Sequence, residues 1–452
     1  MKFKTIYQCQ KCGQQTPKWA GQCPACGEWN TLAEEVIKPE SKAAPKNKSL
    51  TDFTSEITPL TQGAALKEER YPSGVKEFDR LLSGGLVKGQ LILLAGAPGI
   101  GKSTLMLQIA GALSKDKKVL YVSGEESIPQ ISARAKRLNC GGENILLLSE
   151  TNTENVIAAV DKTAPDVLII DSIQTLYHPQ FSSSAGTIGQ VRENAGEILR
   201  LAKPKGISVF ILGHVTKDGA LAGPKVLEHM VDTVLYFDTE KDSLLRLIRA
   251  HKNRFGATSE VALFKMTAKG LEDVEDASAY FAQTSRAQSL VGRAFSVSLE
   301  GARPILTEVQ ALVSPTHFPY PRRIATGMDL NRCQMLLAAL EKHVSLNLDT
   351  KDVYVSLAGG VKINDPALDL AVCAAVISSA RDIALPAASA FIGEVGILGQ
   401  VAPAGAMERR IEEARRLAMS KIHTAKTNNK TAAKGGDIIE VQDLLSLAAK
   451  LR

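Results

Sequence analysis

No stretch of this sequence approaches the roughly 20 consecutive apolar residues that a membrane-spanning helix needs. The segment Met1–Gln8 also lacks the apolar core of a secretory signal. Together these absences predict a cytoplasmic chain with no membrane partner. Charge of one sign is lacking as well: 54 Lys and Arg stand against 48 Asp and Glu, a net +6 over 452 residues. That balance permits a nucleic-acid partner without requiring one. Cysteine is sparse, with 7 residues, and without an export signal the thiols are expected to stay reduced. Metal ligation is therefore considered before disulfides. No fixed-period internal repeat is present. What remains is a composition of 44% hydrophobic and 23% charged residues, that of a soluble globular protein. At this length two or three domains are expected.

The most informative stretch runs Gly96-Ala97-Pro98-Gly99-Ile100-Gly101-Lys102-Ser103-Thr104. It follows the apolar run Leu91–Ala95 and opens the helical pattern Leu105–Ala110. Gly-x-x-x-x-Gly-Lys-Ser between strand and helix is a phosphate-binding P-loop. Its glycines let backbone N–H groups turn toward an anion, and the helix adds its positive end. Lys102 is expected to reach the β- and γ-phosphates of ATP, and Ser103 to hold Mg²⁺.

Four cysteines form two tight pairs, Cys9-x-x-Cys12 and Cys23-x-x-Cys26. Four thiolates close a tetrahedral shell around Zn²⁺ with no open position, so the zinc is expected to be structural. Gly13 and Gly27 follow the second cysteine of each pair, where such turns often need a positive φ. Metal binding is expected to supply the folding energy of so short a segment. Cys140, Cys333 and Cys373 are isolated and are expected to be buried small hydrophobes.

Composition divides the chain into a zinc ribbon at 1–32, a flexible basic linker at 33–65, and an ATPase core at 66–273. A second linker at 274–288 precedes a smaller α/β region at 289–452. Within the core, apolar strands alternate with amphipathic helices, which predicts a mostly parallel sheet covered on both faces.

The strand Val167–Ile170 ends in Asp171, the Walker B arrangement in which a carboxylate helps fix Mg²⁺. A base for water is also needed. The strand Lys118–Ser123 ends in Gly124-Glu125-Glu126, and on chemistry alone either glutamate serves as that base, or both are solvated loop carboxylates. The strand Val209–Leu212 ends in Gly213-His214. His214 is there either a structural histidine or a polar tip that senses the γ-phosphate.

Gly96–Thr104, Ser123–Glu126, Leu168–Asp171 and Leu212–His214 occur in the order and spacing of the RecA-type ATPase core, which they resemble. Within that superfamily, Lys252-Asn253-Arg254-Phe255-Gly256 resembles the five-residue signature of the bacterial RadA (Sms) family of DNA repair proteins. The ribbon, with Pro17–Pro24 and Glu28–Asn30, is similar to the same family. The resemblance covers nearly the whole chain. It implies an α/β fold: a RecA-like parallel-sheet P-loop ATPase core, an N-terminal four-cysteine zinc ribbon, and a C-terminal Lon-peptidase-like α/β domain. It also implies that Glu125 is the catalytic base and that Lys102, Ser103, Asp171 and His214 attend nucleotide and Mg²⁺. Lys252 and Arg254 fall where such rings present cations to the neighbouring subunit's ATP, a contribution that neutralises charge on the transferred phosphoryl group.

Two loops at the carboxyl ends of core strands, 178–192 and 217–225, are rich in small residues and lack interleaved aromatics. In the RecA superfamily such loops line the DNA path, so Thr187, Gln190, Arg192, Lys217 and Lys225 are expected to hold phosphates. On chemistry alone the same loops are also readable as plain mobile surface.

From about Leu290 onward the chain resembles the Lon peptidase domain, most clearly at Gly359–Asp369 and Gly393–Val401. Lon enzymes use a Ser–Lys dyad. Here the serine position is Ala367 and the lysine position is Glu408, so peptidase activity by that mechanism is not expected. The domain is expected to act as a ring-forming scaffold. Its pairs Arg322-Arg323, Arg409-Arg410 and Arg415-Arg416 either bind duplex phosphates or, for the last two, form the solvated face of a helix over Met407–Met419.

The resemblance implies a DNA-dependent ATPase, similar to hexameric DnaB-type helicases, that migrates branched recombination intermediates. Its partners would be single-stranded and branched DNA, the strand-exchange recombinase and further copies of itself. The alternative is a recombination mediator that uses ATP as a switch and docks its recombinase through the ribbon. An ATP-dependent protease is contradicted by Ala367 and Glu408.

Overall fold

The computed structural model describes residues 4–37, 69–181, 183–214, 224–238, 245–274, 276, 278, 288–358, 362–426 and 436–451. They form two compact units, the first ending at Asp273 and the second beginning at Val274.

In the first unit, strand Lys4–Cys9 pairs antiparallel with Gln15–Thr16 on one side and Leu32–Ile37 on the other. The ribbon therefore runs to Ile37 rather than ending at 32, because six successive residues of the last strand stay in register with the first. Gly13 and Gly27 adopt φ of 77° and 72°, the left-handed region expected of turns that fold two sulfurs inward.

The remainder of this unit is built on a nine-stranded sheet. Its six parallel strands run, in spatial order, Thr233–Asp238, Leu91–Gly96, Ser208–His214, Val167–Asp171, Val119–Ser123 and Ile145–Ser149. Three antiparallel strands, Leu245–Asn253, Val261–Thr267 and Gly270–Asp273, extend it beyond Thr233–Asp238. Strand Leu91–Gly96 is buried along its whole length, as a central parallel strand covered on both faces must be. Alternation distributes its side chains. Ile92 and Leu94 join the core beneath helix Lys102–Leu113, whereas Leu91, Leu93 and Ala95 join the core beneath helix Ile188–Lys205. Truncating Leu94 to alanine in such a setting costs about 2–5 kcal/mol.

The described strand ends that carry the candidate residues lie at one end of this sheet. Register places His214 beside Gly96 and Ser123 beside Asp171, so four strand ends converge. Ligands of open α/β sheets bind at that carboxyl edge.

The second unit carries a seven-stranded mixed sheet. Its spatial order is Arg323–Thr326, Lys351–Leu357, Arg303–Pro315, Arg293–Glu300, Ser389–Ile392, Lys421–Thr424 and Ile438–Glu440. Helix Asp369–Arg381 is buried from Asp369 to Ser378, a length of small and apolar residues suited to the middle of a core. Its first carboxylate is tied to Arg332 and lies at the positive end of the helix.

Several expectations for this unit are corrected. The helix foreseen over Met407–Met419 spans Met407–Arg416, because Ala418 takes a φ of 59° that no helix tolerates. Arg410 does not offer charge to a ligand: it is 3% exposed and bonds Asp365 at 2.6 Å. Arg415 pairs with Asp437, and Arg416 with Glu413 and Asp276. Arg323 donates to the Leu348 and Lys351 carbonyls, and Arg322 stacks on Phe318. These arginines chiefly brace the unit. Ala367 is fully buried in the short turn Pro366–Leu368, while Glu408 is exposed. Gly359 and Gly360, from the stretch expected to resemble Lon, lie outside the described residues. Cys333 and Cys373 are buried as expected, but Cys140 is only partly so.

Candidate functional site

The P-loop strand ends at Gly96 and the following helix begins at Lys102. The first N–H groups of that helix have no acceptor within it and are available to an anion. Lys102 is 4% exposed, and its ammonium donates to the carbonyls of Gly96 at 2.9 Å and Ala97 at 3.0 Å. Burial lowers its pKa to about 8, against the opposing charges of Asp171 and Glu125. Ser103 and Thr104 follow in the first turn. Pro98, Gly99, Ile100 and Gly101 complete the loop, and Arg246 donates to the Ile100 carbonyl at 3.0 Å.

Asp171 ends its strand 5% exposed. The hydroxyl of Tyr121, on the adjacent strand, donates to its Oδ2 at 2.5 Å. Tyr121 is buried, and that burial, with Asp171 beside it, pushes its phenol well above the ordinary value. The hydroxyl therefore remains a donor and aims the carboxylate. Tyr121 carried no recognisable signal in the sequence beyond its place in an apolar strand.

The two glutamates are separated by their partners. Glu125 accepts from Ser172 Oγ at 2.6 Å and meets His214 Nε2 at 3.1 Å. Burial opposes its charge, but these two bonds and the nearby Lys102 outweigh it and hold the carboxyl below its usual value. Glu126 instead pairs with Arg134 on the following helix. The other ring nitrogen of His214, Nδ1, lies 3.2 Å from the Lys102 ammonium. Lys102, His214, Glu125 and Asp171 thus lie together at the strand ends.

This donor set fits a nucleotide with Mg²⁺. A buried ammonium satisfied by two loop carbonyls, the Ser103 hydroxyl position and the braced Asp171 carboxylate share one edge. ATP and Mg²⁺ are the cofactors of this site. Bound Mg²⁺ would neutralise charge on the phosphates, with Ser103 and Asp171 as its residues.

Lys252 and Arg254 do not enter that cluster. Lys252 donates to the carbonyls of Glu228 at 2.6 Å and Val231 at 2.8 Å. It thereby satisfies a carbonyl in the last turn of helix Pro224–Met230 and that of the residue just beyond it. Arg254 pairs with Asp232 at 3.4 Å and keeps its side chain 58% exposed.

Among the residues foreseen to hold DNA, Gln190 is corrected. Its side chain is fully buried; the amide donates to the carbonyls of His178, Phe181 and Ser183 and accepts from the His178 N–H. It ties His178, Phe181 and Ser183 to the first turn of the helix and has no group left for a phosphate. Thr187 is occupied as the N-cap of helix Ile188–Lys205 and donates to the Ser184 carbonyl at 2.9 Å. Arg192 is exposed. Lys217 and the side chain of Lys225 lie outside the described residues.

In the ribbon, the Sγ atoms of Cys9, Cys12, Cys23 and Cys26 all lie within 4.8 Å of one another. Cys9 and Cys26 are 3.7 Å apart, and Cys12 and Cys23 are 3.6 Å apart. Tetrahedral Zn–S bonds of about 2.3 Å place sulfurs about 3.8 Å apart, so the cluster fits Zn²⁺; a disulfide would need about 2.05 Å. The ribbon is a structural zinc site.

No helix among the described residues is long and apolar enough to cross a membrane. Residues 63–220 match the family described as AAA domain, and residues 7–34 match the rubredoxin metal binding domain. Two solved structures are similar over part of the chain. A KaiC-like protein from Pyrococcus horikoshii is 19% identical, covering 46% of this chain and 99% of its own, at a TM-score of 0.39. The RadB recombinase is 26% identical, covering 45% and 99%, at 0.37. Full-length relatives are closer in sequence. DNA repair protein RadA of Bacillus subtilis is 45% identical over 98% of this chain and 97% of its own length. Those of Aquifex aeolicus and Pseudomonas aeruginosa are 45% and 46% identical, covering 93% and 91% of each chain. Agreement of this order from the ribbon through the second unit makes the chain a member of the bacterial RadA family of DNA repair proteins.

Proposed function

We propose that this chain is a DNA-dependent ATPase that works as a motor on branched intermediates of recombinational repair. The observation that carries the reading is the cluster in which one imidazole, His214, meets both Lys102 and Glu125. His214 ends the strand Ser208–His214, three positions before Lys217 in the sequence, so a change at the phosphates is read as passing along the chain toward that candidate DNA contact.

In this reading Glu125 is the base that takes a proton from the attacking water, and Lys102 holds the phosphates. Ser172 and His214 aim the carboxylate at that water. Arg254, exposed and paired only loosely, is the cation suited to a neighbouring subunit's ATP. Lys252 assists by fixing the end of helix Pro224–Met230. Arg192 is the described residue best suited to phosphate contact, with Lys217 and Lys225 as further candidates. The domains are read as ribbon, ATPase core and Lon-like scaffold, divided near 38–65 and 274–288, acting as a cytoplasmic ring with the recombinase.

A second reading, an ATP-switched mediator, is favoured by one feature. Trp19 and Trp29, the only tryptophans, are 58% and 67% exposed on the ribbon, where a protein partner would cover them. Unwinding of a forked DNA separates the two. A motor extends the fork directionally with ATP, and Arg254→Ala abolishes this while leaving nucleotide binding intact. A mediator leaves the fork unchanged.

A further inference from the structure

The second unit holds a cavity of about 310 Å³ remote in sequence from the P-loop. Its apolar wall includes Ile383, Leu385 and Ile439. Its polar groups are Lys421 and His423, on strand Lys421–Thr424, and Lys450, at the end of helix Leu444–Lys450. Alternation along the strand puts Lys421 and His423 on one face, and register sets Ile439 beside His423.

His423 is 4% exposed. Its ring stacks on Phe391 with centroids 4.4 Å apart and planes 18° apart, which fixes its orientation. Its Nδ1 is buried with no hydrogen-bond partner among the described residues. Burial, followed by the charges of Lys450 and Lys421, pushes the imidazole down to about 4. Lys450 spends one N–H on the Glu440 carbonyl and retains two. The described lining includes no carboxylate side chain. Two exposed lysines and a buried imidazole with an unpaired nitrogen therefore border a cavity whose described lining offers no carboxylate. A buried polar atom left unpaired costs stability, and folds keep such atoms where something else meets them.

We propose that this cavity is a receptor for a phosphate group carried on a small organic body, held by Lys421, Lys450 and His423. The lysines supply charge without a fixed geometry, the imidazole supplies a directional contact, and the apolar wall accommodates the body. A volume of this size lies at the lower end of small-molecule sites and suits one small phosphate ester or the terminal phosphate of a longer molecule. The phosphate has two possible carriers, a free ester or the 5′ end of a nucleic-acid strand.

The test is calorimetric titration of the full chain with its P-loop saturated by ADP and Mg²⁺. The probes are inorganic phosphate, a nucleoside 5′-monophosphate, and one oligonucleotide with and without a 5′-phosphate. Wild type is expected to take up one inorganic phosphate per chain, and Lys421→Ala and Lys450→Ala to bind it about tenfold more weakly. Both lysines are exposed, so neither change disturbs the core. Preference for the 5′-phosphorylated strand over its unphosphorylated twin assigns the site to a nucleic-acid end. Equal binding of the two strands, with tighter binding of the monophosphate, assigns it to a free ester. No phosphate uptake by the ADP-loaded wild type, or undiminished uptake by both lysine variants, overturns the proposal.

Discussion

Glu125 meets the imidazole of His214 at 3.1 Å, through a ring whose other nitrogen lies 3.2 Å from the Lys102 ammonium. An ammonium only donates, so Nδ1 accepts and Nε2 carries the hydrogen directed at Glu125. One tautomer satisfies both contacts and links the phosphate-binding lysine to the proposed base. His214→Ala breaks that link without removing either end. Turnover should fall by up to about a hundredfold through misplacement of Glu125, with little change in the KM for ATP. A variant with unchanged kcat and a raised KM would instead make His214 a binding group.

Glu125 and Glu126 are adjacent yet face different partners. Glu125→Gln should retain nucleotide and lose turnover by about 10²- to 10⁴-fold, the usual worth of a positioned base. Glu126→Gln should stay near the wild-type rate, since it loses only a pair with Arg134. Steady-state phosphate release from the two variants, measured side by side, decides the matter. Equal losses would remove the distinction.

Tyr121→Phe deletes the hydroxyl that aims Asp171. The exchange leaves a buried carboxylate oxygen without its donor, a loss of about 1–3 kcal/mol. Because Asp171 is proposed to help hold Mg²⁺, half-maximal ATPase activity should require more Mg²⁺ in the variant. Thermal unfolding gives the first quantity and a Mg²⁺ titration the second.

How much of this was legible in the sequence depends on how local each feature is. The P-loop, the paired cysteines and the carboxylate ending an apolar strand are short-range patterns whose spacing carries their chemistry. On chemistry alone Glu125 and Glu126 were equivalent and only the family resemblance favoured Glu125; their different partners, Ser172 and Arg134, come from other elements. Gln190 resembled a surface contact in a loop of small residues, but burial consumed both ends of its amide. Arg410 resembled half of a basic pair until Asp365, 45 positions away, reached it. Charge is visible in a sequence; whether a charge is already paired is a property of the fold.

Zinc should be present at one ion per chain and lost on replacing any of the four cysteines. Cys12→Ser should unfold the ribbon while the ATPase core keeps its own unfolding transition, because the short segment depends on metal for its stability. Metal analysis and calorimetry read these outcomes. A ribbon that stays folded without zinc would show that its three strands suffice.

His423 sets an acid limit on the second unit. Its folded value of about 4 lies below the ordinary 6.5. As pH falls between those values the unfolded chain gains a proton that the folded chain refuses, so stability drops and then levels. Above 6.5 this group contributes no pH dependence. Denaturation midpoints followed from neutral pH to about 4 should show the loss in wild type and a smaller loss in His423→Gln.

The most direct test of the central claim is the ATPase rate of wild type and Glu125→Gln without DNA, with single-stranded DNA and with duplex DNA. The account predicts strong stimulation of wild type by single strands and a Glu125→Gln rate about 10²- to 10⁴-fold lower that DNA does not restore. A wild-type rate indifferent to DNA, or a Glu125→Gln variant that still responds to it, would contradict the account.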